Sequence, residues 1–337
     1  MSHPFNGIGL RRIIWLVCSL LIWSGCQRPT CSNQPVVQYQ PPTCPDGVEV
    51  SVLTANVGNV SLGCRDYLYN LCYAEVEKRI ALGINSLRPD VVALQEVTDP
   101  KQCERFTEKN PAKVCYDHLN QEPLHQIRRL VGSDYTIVCD SRNHYECVAV
   151  RKGVGRIEGC GQGELCMGVV TIDSPGPGCD AGFTVSGLDA VLNGQRVRIL
   201  NAHLNSGNAD CREWTLRQIF EGVNDQSPMV IGQRVLLLGD FNFDPFRQED
   251  KSTELWERYV GMPSQGKPFW YHSGPVEAMP PFPTWSVPLL RPKTLDFVVS
   301  NFASGTLVTL GEAPGTCRLD GGHGMDHRAL FGVLCIE

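Results

Sequence analysis

Four features are missing from this 337-residue sequence, and each absence excludes a class of protein. It has no apolar run of about 18 residues or more, which excludes a conventional membrane-spanning helix. It has no Cys-x-x-Cys spacing, which structural zinc sites generally need. No fixed-period repeat is visible, so a solenoid is excluded. Its 30 basic and 36 acidic residues leave no strongly basic footprint for nucleic-acid binding, although metal ions can neutralise a phosphate locally.

Cysteine, by contrast, is abundant. The chain has 16 cysteines and is 42% hydrophobic, which is the composition of a globular protein. Disulfide-dense chains are usually small and short of core, whereas a chain of this length can bury a core without covalent staples. The cysteines therefore indicate an oxidising compartment rather than a small scaffold.

The N-terminus predicts export to such a compartment. Arg11 and Arg12 precede a short apolar run, Ile13–Trp23, that closes on small residues, so residues 1–25 are predicted to be a signal peptide. The ending Trp-Ser-Gly-Cys resembles a bacterial lipoprotein signal, in which Cys26 would be lipidated. Trp23 departs from that pattern, which usually has Leu, Val or Ile there. An ordinary cleaved signal and an uncleaved anchor stay open as alternatives.

The remaining cysteines predict disulfides. Without Cys18 and Cys26, 14 are left, an even number that allows up to seven bridges. Without the two leader arginines, the mature chain has 28 basic and 36 acidic residues, a net charge of −8. The simplest disulfide pattern joins neighbours along the chain: 31/44, 64/72, 103/115, 139/147, 160/166, 179/211 and 317/335.

The organisation of the chain is that of one domain behind a linker. Residues 26–47, rich in Pro, Gln, Ser and Thr, predict a flexible linker before a single domain over 48–337. Helical spacing predicts helices over Tyr67–Leu87 and Arg212–Val223, and Pro and Gly predict a long surface loop over Met262–Pro292. The element order hints at two similar halves. Strands are predicted over Val48–Ala55, Val91–Leu94, Tyr135–Val138, Cys147–Val150, Val169–Ile172, Val197–Ala202, Val235–Leu238, Leu295–Val299 and Ala329–Cys335.

Polar side chains stand at the ends of these apolar strands, where sites are built on sheet scaffolds. Carboxylates and amides suit Mg²⁺, and histidines can donate to phosphate or move protons near neutral pH. Together they predict phosphoester chemistry. Taken singly, each has a structural alternative as a turn former, surface acid, helix cap or satisfied histidine. The set is Asn56, Glu96, His203, Asp240, Asn242, Asp296, Asp326 and His327.

The segments that carry these residues resemble the endonuclease/exonuclease/phosphatase superfamily, which has the DNase I-like fold. The motifs are LTANVGN, VVALQEV, NAHLNS, LLLGDFNFDP, LDFVVS and GMDHRAL, over roughly residues 50–337. The resemblance implies an α/β fold, a four-layer α/β/β/α sandwich with two packed mixed β-sheets. It also implies Mg²⁺- or Mn²⁺-dependent hydrolysis of phosphoesters.

The resemblance implies a metal-binding group and a water-activating group. Glu96 would be the principal metal ligand, with Asn56 and Asp326 beside it. Asp240 would activate the attacking water. Asn242 would orient that water or help to bind a second metal.

Two histidines are implied to face the phosphate. Asp296 would hold His327 at the scissile phosphate, because a carboxylate fixes the imidazole tautomer and favours its cationic form. His203 would be the second phosphate-facing histidine. The segment YTIVCDSRNHYECVAV is similar to one that supplies an acid and an arginine, which nominates Asp140 for His203 and Arg142 for phosphate. Both could instead be ordinary loop residues.

We therefore expect a metal-dependent phosphodiesterase, first a DNase I-like endonuclease that acts on nucleic acid. One alternative is a sphingomyelinase-type phospholipid phosphodiesterase, for which Trp270-Tyr271 is the candidate membrane-active hairpin. An inositol or sugar phosphatase and a non-catalytic binding module are the others. Trp285 in PTWS matches a Thr-Trp of the family, with core packing and substrate contact both open. We expect a monomer, exported and anchored through Cys26 outside the cytoplasm, or secreted.

Overall fold

The computed structural model describes fourteen segments of the chain. No helix within them is long and apolar enough to cross a membrane. The segments are 44–45, 47–58, 74–97, 125–140, 146–168, 170–171, 176–180, 183, 185–232, 234–247, 250–273, 283–285, 291–310 and 327–336.

The described residues form two mixed β-sheets. In chain order the strands are β1 (Val48–Asn56), β2 (Val91–Gln95), β3 (Tyr135–Cys139), β4 (Cys147–Arg151), β5 (Gly155–Ile157), β6 (Leu165–Met167), β7 (Val170–Thr171), β8 (Val185–Leu192), β9 (Gln195–His203), β10 (Val235–Asp240), β11 (Val260–Gly261), β12 (Phe269–Tyr271), β13 (Asp296–Ser300), β14 (Ala303–Thr309) and β15 (Leu330–Ile336). The first sheet has the strand order β14-β15-β1-β2-β4-β3-β6, and the second has the order β11-β12-β13-β10-β9-β8-β5, with β7 also paired to β8.

Helices cover the outer face of each sheet. The first sheet packs against α1 (Ala74–Leu87) and α2 (Gln126–Val131), and the second against α3 (Ala209–Phe220) and α4 (Lys251–Tyr259). A third apolar cluster lies between the sheets. The strand Val91–Gln95 lies between two of these cores. Its side chains alternate between the cluster between the sheets and the helix-covered cluster, and all of them are buried. The predicted four-layer sandwich is confirmed.

Most predicted strands are confirmed, with ends moved by one or two residues. The helix predicted over Tyr67–Leu87 is described from Ala74 onward, and residues 67–73 lie outside the described part. The helix predicted over Arg212–Val223 instead spans Ala209–Phe220, because Asn208 caps it by accepting the N–H groups of Asp210 and Cys211. The elements not predicted are the shorter or less apolar ones: β5, β6, β8, β11, β12, β14, α2 and α4.

The long loop predicted over Met262–Pro292 is wrong at two places in the described part of the chain. Pro263–Gln265 forms a 3₁₀ turn and Phe269–Tyr271 forms β12. Phe269 and Tyr271 are buried in the second sheet's outer core, and Trp270 donates through Nε1 to the carbonyl of Ala303 at 2.8 Å. These rings are held in the fold, so Trp270-Tyr271 is not an exposed membrane hairpin.

Four disulfides join described residues. Cys139–Cys147, Cys160–Cys166 and Cys179–Cys211 follow the neighbour pattern. The 31/44 and 317/335 pairs are wrong, because Cys44 is bonded to Cys335. Antiparallel pairing of β1 with β15 brings residue 49 opposite residue 335 and so carries the preceding chain to that cysteine. The 64/72 and 103/115 pairs lie outside the described residues.

Candidate active site

The predicted polar residues that the structure describes meet at one edge of the sandwich. Asn56 ends β1 and Glu96 follows β2, and these two strands are parallel neighbours. His203 and Asp240 end the parallel strands β9 and β10 in direct register. Asp296 begins the antiparallel strand β13, opposite Asp240. Register within the first sheet brings Asn56 close to Glu96, and register within the second brings His203 and Asp296 beside Asp240. The packing of the two sheets then brings these groups together.

Two histidine–carboxylate pairs flank the site. His203 Nδ1 lies 3.1 Å from Oε1 of Glu146, and His327 Nδ1 lies 2.9 Å from Oδ2 of Asp296. All four residues are buried. A carboxylate on Nδ1 fixes the tautomer and directs Nε2 away from itself, so each histidine offers its other nitrogen to the centre of the site.

Each Nε2 faces a second carboxylate at the same distance. His203 Nε2 is 3.5 Å from Oε1 of Glu96, and His327 Nε2 is 3.5 Å from Oδ2 of Asp240. The side-chain amide of Asn56 joins these carboxylates, since Nδ2 donates to Glu96 at 3.1 Å and to Asp240 at 3.0 Å. The result is a continuous chain from one buried pair to the other, with Asn56 at its midpoint.

The backbone around Glu96 is shaped to present its carboxylate. Glu96 has φ of 57°, in the left-handed region that few non-glycine residues adopt. A Cβ atom on Gly58 would fall 1.7 Å from Oε2 of Glu96, so only glycine fits there. The N–H of Gly58 also donates to Oδ1 of Asn56 at 2.9 Å. The glycine of LTANVGN thus leaves room for Glu96 and orients the amide of Asn56.

The GDFN segment turns sharply at the end of β10. Gly239 has φ of 134°, and a Cβ there would lie 2.0 Å from the carbonyl oxygen of Ala202. Asp240 Oδ1 accepts the N–H of Asn242 at 2.8 Å, while Asn242 Nδ2 donates to the carbonyl of Leu204 at 2.7 Å. These bonds fix Asp240 at the centre and hold Asn242, which is only half-buried, beside it.

Burial and neighbouring charges perturb two groups. Burial alone would lower the pKa of His203, but the hydrogen bond to Glu146 and the charge of Glu96 outweigh it and raise the pKa to about 9. Burial raises the pKa of Asp240 to about 6, against the attraction of His327. His203 is therefore held as a cation at neutral pH, and Asp240 exchanges its proton near the neutral range.

The donor set fits a hard divalent cation. Four carboxylates lie within the chain of contacts described above and face two imidazoles, so the site carries excess negative charge even when both histidines are cationic. An uncompensated buried charge is costly, and a bound cation would offset it. Glu96 is the most exposed of the four, with 31% of its side chain accessible, so it can still take a metal ion. Oxygen ligands of this kind favour Mg²⁺ or Mn²⁺ over softer metals.

One predicted partner is wrong. The carboxylate on His203 comes from Glu146 rather than from Asp140, although the two residues sit at the mouth of one loop, with the N–H of Asp140 bonded to the carbonyl of Glu146. Glu146 directly precedes β4, so the strand-end rule that found Glu96 could have found it. The positions of Arg142, Asp326 and Cys26 lie outside the described residues.

Sequence reasoning also missed Thr284. Its Oγ1 accepts the N–H groups of Leu295 and Asp296, each at 3.0 Å, and so fixes the start of β13. Trp285 follows it, half-buried, and forms isolated β-bridges with His327 and Lys293. Thr284 and Trp285 thus support the backbone of Asp296 and of His327.

Comparison with known proteins bears on the fold. No protein-family model and no curated protein matches the sequence. A functionally unknown protein from Enterococcus faecalis V583 is 15% identical, with 85% of this chain and 100% of that chain covered and a TM-score of 0.51. An endonuclease/exonuclease/phosphatase family protein from Bacteroides thetaiotaomicron is 14% identical, with coverage of 89% and 97% and a TM-score of 0.49. TDP2 from D. rerio, complexed with a single-strand DNA product, is 15% identical, with coverage of 85% and 98% and a TM-score of 0.47. At such identities the likeness concerns the fold alone, and the fold of two packed mixed sheets with outer helices is the four-layer sandwich that the resemblance implied.

Proposed function

We propose that this protein is a divalent-metal-dependent phosphodiesterase. The observation that carries the proposal is the pair of buried histidine–carboxylate couples, Glu146–His203 and Asp296–His327. The other ring nitrogen of each histidine approaches a second carboxylate, that of His203 approaching Glu96 and that of His327 approaching Asp240. A negatively charged phosphodiester needs hydrogen-bond donors on its oxygens and a base for water, and this arrangement supplies both.

Glu96 would be the principal metal ligand, with Asn56 and Asp326 beside it. A bound Mg²⁺ or Mn²⁺ would supply neutralisation of the phosphate charge. Asp240 would accept the proton of the attacking water, and Asn242 would orient that water. In the described part of the chain the amide oxygen of Asn242 has no hydrogen-bond partner, and this leaves it able to do so.

The two histidines would act on the phosphate itself. His203 would donate from Nε2 to a non-bridging oxygen, held as a cation by Glu146. His327 would donate in the same way, held by Asp296. Arg142 would add a further positive charge to the phosphate.

Among substrates we favour nucleic acid, as for a DNase I-like endonuclease. A phospholipid phosphodiesterase is weaker than the sequence implied, because Trp270 and Tyr271 are held in β12. An inositol or sugar phosphatase stays as the second alternative. We propose that the protein works as an exported monomer, tethered through lipidated Cys26. Four disulfides among the described residues are compatible with that location.

The test is hydrolysis of bis-para-nitrophenyl phosphate by the purified protein with Mg²⁺ or Mn²⁺, followed by a screen of plasmid DNA, RNA, sphingomyelin and inositol phosphates. We expect activity that EDTA abolishes and added metal restores. Activity that survives EDTA would rule out the metal mechanism.

Alanine variants test the assigned residues. We expect Glu96→Ala, Asp240→Ala and His327→Ala each to lose at least about 10²-fold in rate. Glu254→Ala, which removes a carboxylate from the first turn of α4 outside the site, is the matched control and should keep the wild-type rate. A near-wild-type rate in any of the first three would contradict the role assigned to that residue.

A further inference from the structure

A buried hydrogen-bond network joins the two sheets directly behind the active site. Asn201 on β9 donates through Nδ2 to two carbonyls of the other sheet, Leu94 at 3.0 Å and Cys147 at 3.1 Å. Its Oδ1 accepts from Nε2 of Gln95 at 2.6 Å, and Gln95 also donates to Oγ1 of Thr54 at 3.2 Å. Gln95, Asn201 and Thr54 have no solvent exposure.

The geometry leaves one assignment of the two amides. Because Asn201 Nδ2 faces two carbonyl oxygens, that group must be the donor and its oxygen must face a donor. Gln95 Nε2 is the donor that meets it. Gln95 and Asn201 therefore form a directional bond from one sheet to the other, beside the apolar cluster that lies between the sheets.

Every member of this network is a near neighbour of an active-site residue. Gln95 directly precedes Glu96, and Asn201 lies two residues before His203 on the same face of β9. The carbonyl that Asn201 holds at Cys147 adjoins Glu146. The network thus contacts the backbone within one or two residues of Glu96, Glu146 and His203.

Packing alone does not fix how one sheet slides on the other, because apolar contact is non-directional. The Glu146–His203–Glu96 contacts cross that interface and depend on its register at the scale of an ångström. Hydrogen bonds between buried groups are directional and costly to leave unmade. Asn201 makes three such bonds close to the Glu146–His203–Glu96 contacts.

We propose that Gln95 and Asn201 are a positioning pair that sets the register of the two sheets and thereby the placement of Glu96 and Glu146 around His203. The pair touches no substrate and acts through these three residues. The proposal rests on the proposed function where it concerns rate, and on geometry alone where it concerns placement.

Three variants of the purified full-length protein test the pair. Asn201→Leu removes all three bonds at similar volume. Gln95→Met removes the bond between the amides and the bonds from Gln95 to Thr54 and to the carbonyl of Ala93. The third variant combines both changes. We expect Asn201→Leu to lower kcat about 10- to 100-fold at unchanged KM, the scale of a small misplacement of reacting groups. Gln95→Met should lose less, and the double variant no more than Asn201→Leu, because both changes break one linkage.

The matched control is Thr136→Val, which removes another fully buried polar group of the first sheet, the acceptor of the N–H of Gly163 at 2.9 Å. Melting temperatures are measured for every variant. The proposal is overturned if Asn201→Leu loses no more rate than Thr136→Val, or if the losses of the two single variants multiply in the double variant.

A readout that does not need turnover separates this proposal from the proposed function. Crystal structures of wild type and Asn201→Leu should show the 3.5 Å approach of His203 Nε2 to Glu96 lengthened in the variant, with the pairing of β9 to β10 unchanged. The imidazole ¹⁵N shifts of His203 should change with it. An inactive wild type would refute the proposed function but not the pair; an unchanged distance and unchanged shifts would refute the pair whatever the activity.

Discussion

Replacing Glu146 is the sharpest test of the site, because the structure assigns to it a place that sequence reasoning gave to Asp140. Glu146 is fully buried and its Oε1 lies 3.1 Å from Nδ1 of His203. Glu146→Gln keeps a side-chain oxygen that can accept from Nδ1 but removes the charge that holds His203 as a cation. Glu146→Leu removes both the acceptor and the charge.

The magnitude follows from what each change removes. Loss of acid–base or charge support by a positioned side chain typically costs about 10²- to 10⁴-fold, or roughly 3 to 5 kcal/mol in the activation barrier. We expect Glu146→Leu to fall in that range and Glu146→Gln to lose about tenfold less. Breaking a buried ion pair also costs about 3–5 kcal/mol of stability, so both variants should melt at a lower temperature.

The assay is hydrolysis of bis-para-nitrophenyl phosphate at saturating metal, with kcat and KM measured well below each variant's melting temperature. Asp140→Asn is the comparison, since Asp140 is equally buried and sits at the other end of the same loop. Equal rate losses in Asp140→Asn and Glu146→Leu, or a wild-type rate in Glu146→Leu, would refute the assignment of Glu146 to His203.

Two further predictions concern stability and redox state. Cys139–Cys147 joins register partners of β3 and β4 and closes the loop that ends at Glu146, so reduction, or Cys139→Ser with Cys147→Ser, should lower activity before it lowers fold stability; simultaneous loss of both would count against this. Burial lowers the pKa of His272 to about 4, so the unfolded chain binds the proton from about pH 6.5 while the folded chain does not. The free energy of unfolding should therefore fall as pH drops from about 6.5 to 4, by up to about 3 kcal/mol from this group. Chemical denaturation of His272→Gln across that window should show a smaller fall than wild type; parallel curves would contradict the prediction.

The strand pattern and the strand-end residues were predictable because both depend on local chemistry. Short continuous apolar runs such as Val91–Leu94 are typical of buried strands, and polar residues that follow such strands lie at a sheet edge. The same rule predicted where Asn56 and Asp240 would lie. The prediction of a loop over 262–292 was wrong because the Pro and Gly content of the segment indicated a loop, while its three-residue aromatic strand is too short to show a period.

Pairings across the chain were not predictable in the same way. Neighbour pairing of cysteines held for three pairs, separated by 6, 8 and 32 residues, and failed for Cys44, whose partner is set by the antiparallel alignment of β1 with β15. The predicted partner of His203, Asp140, was wrong for a similar reason. Asp140 and Glu146 both flank the same loop, and only the packing of the two sheets decides which carboxylate reaches the ring.

The sequence by itself determined the strands, the edge at which the polar residues gather and the chemistry of those residues, because these follow from apolar runs and what stands at their ends. The sandwich came from the family resemblance that the same motifs carry. The tertiary structure decided the contacts. It paired Glu146 with His203, placed Asn56 between two carboxylates and bonded Asn201 across the sheets. Those contacts depend on the register between sheets, a distance of a few ångströms between residues far apart in the chain, and no local pattern in the sequence carries that information.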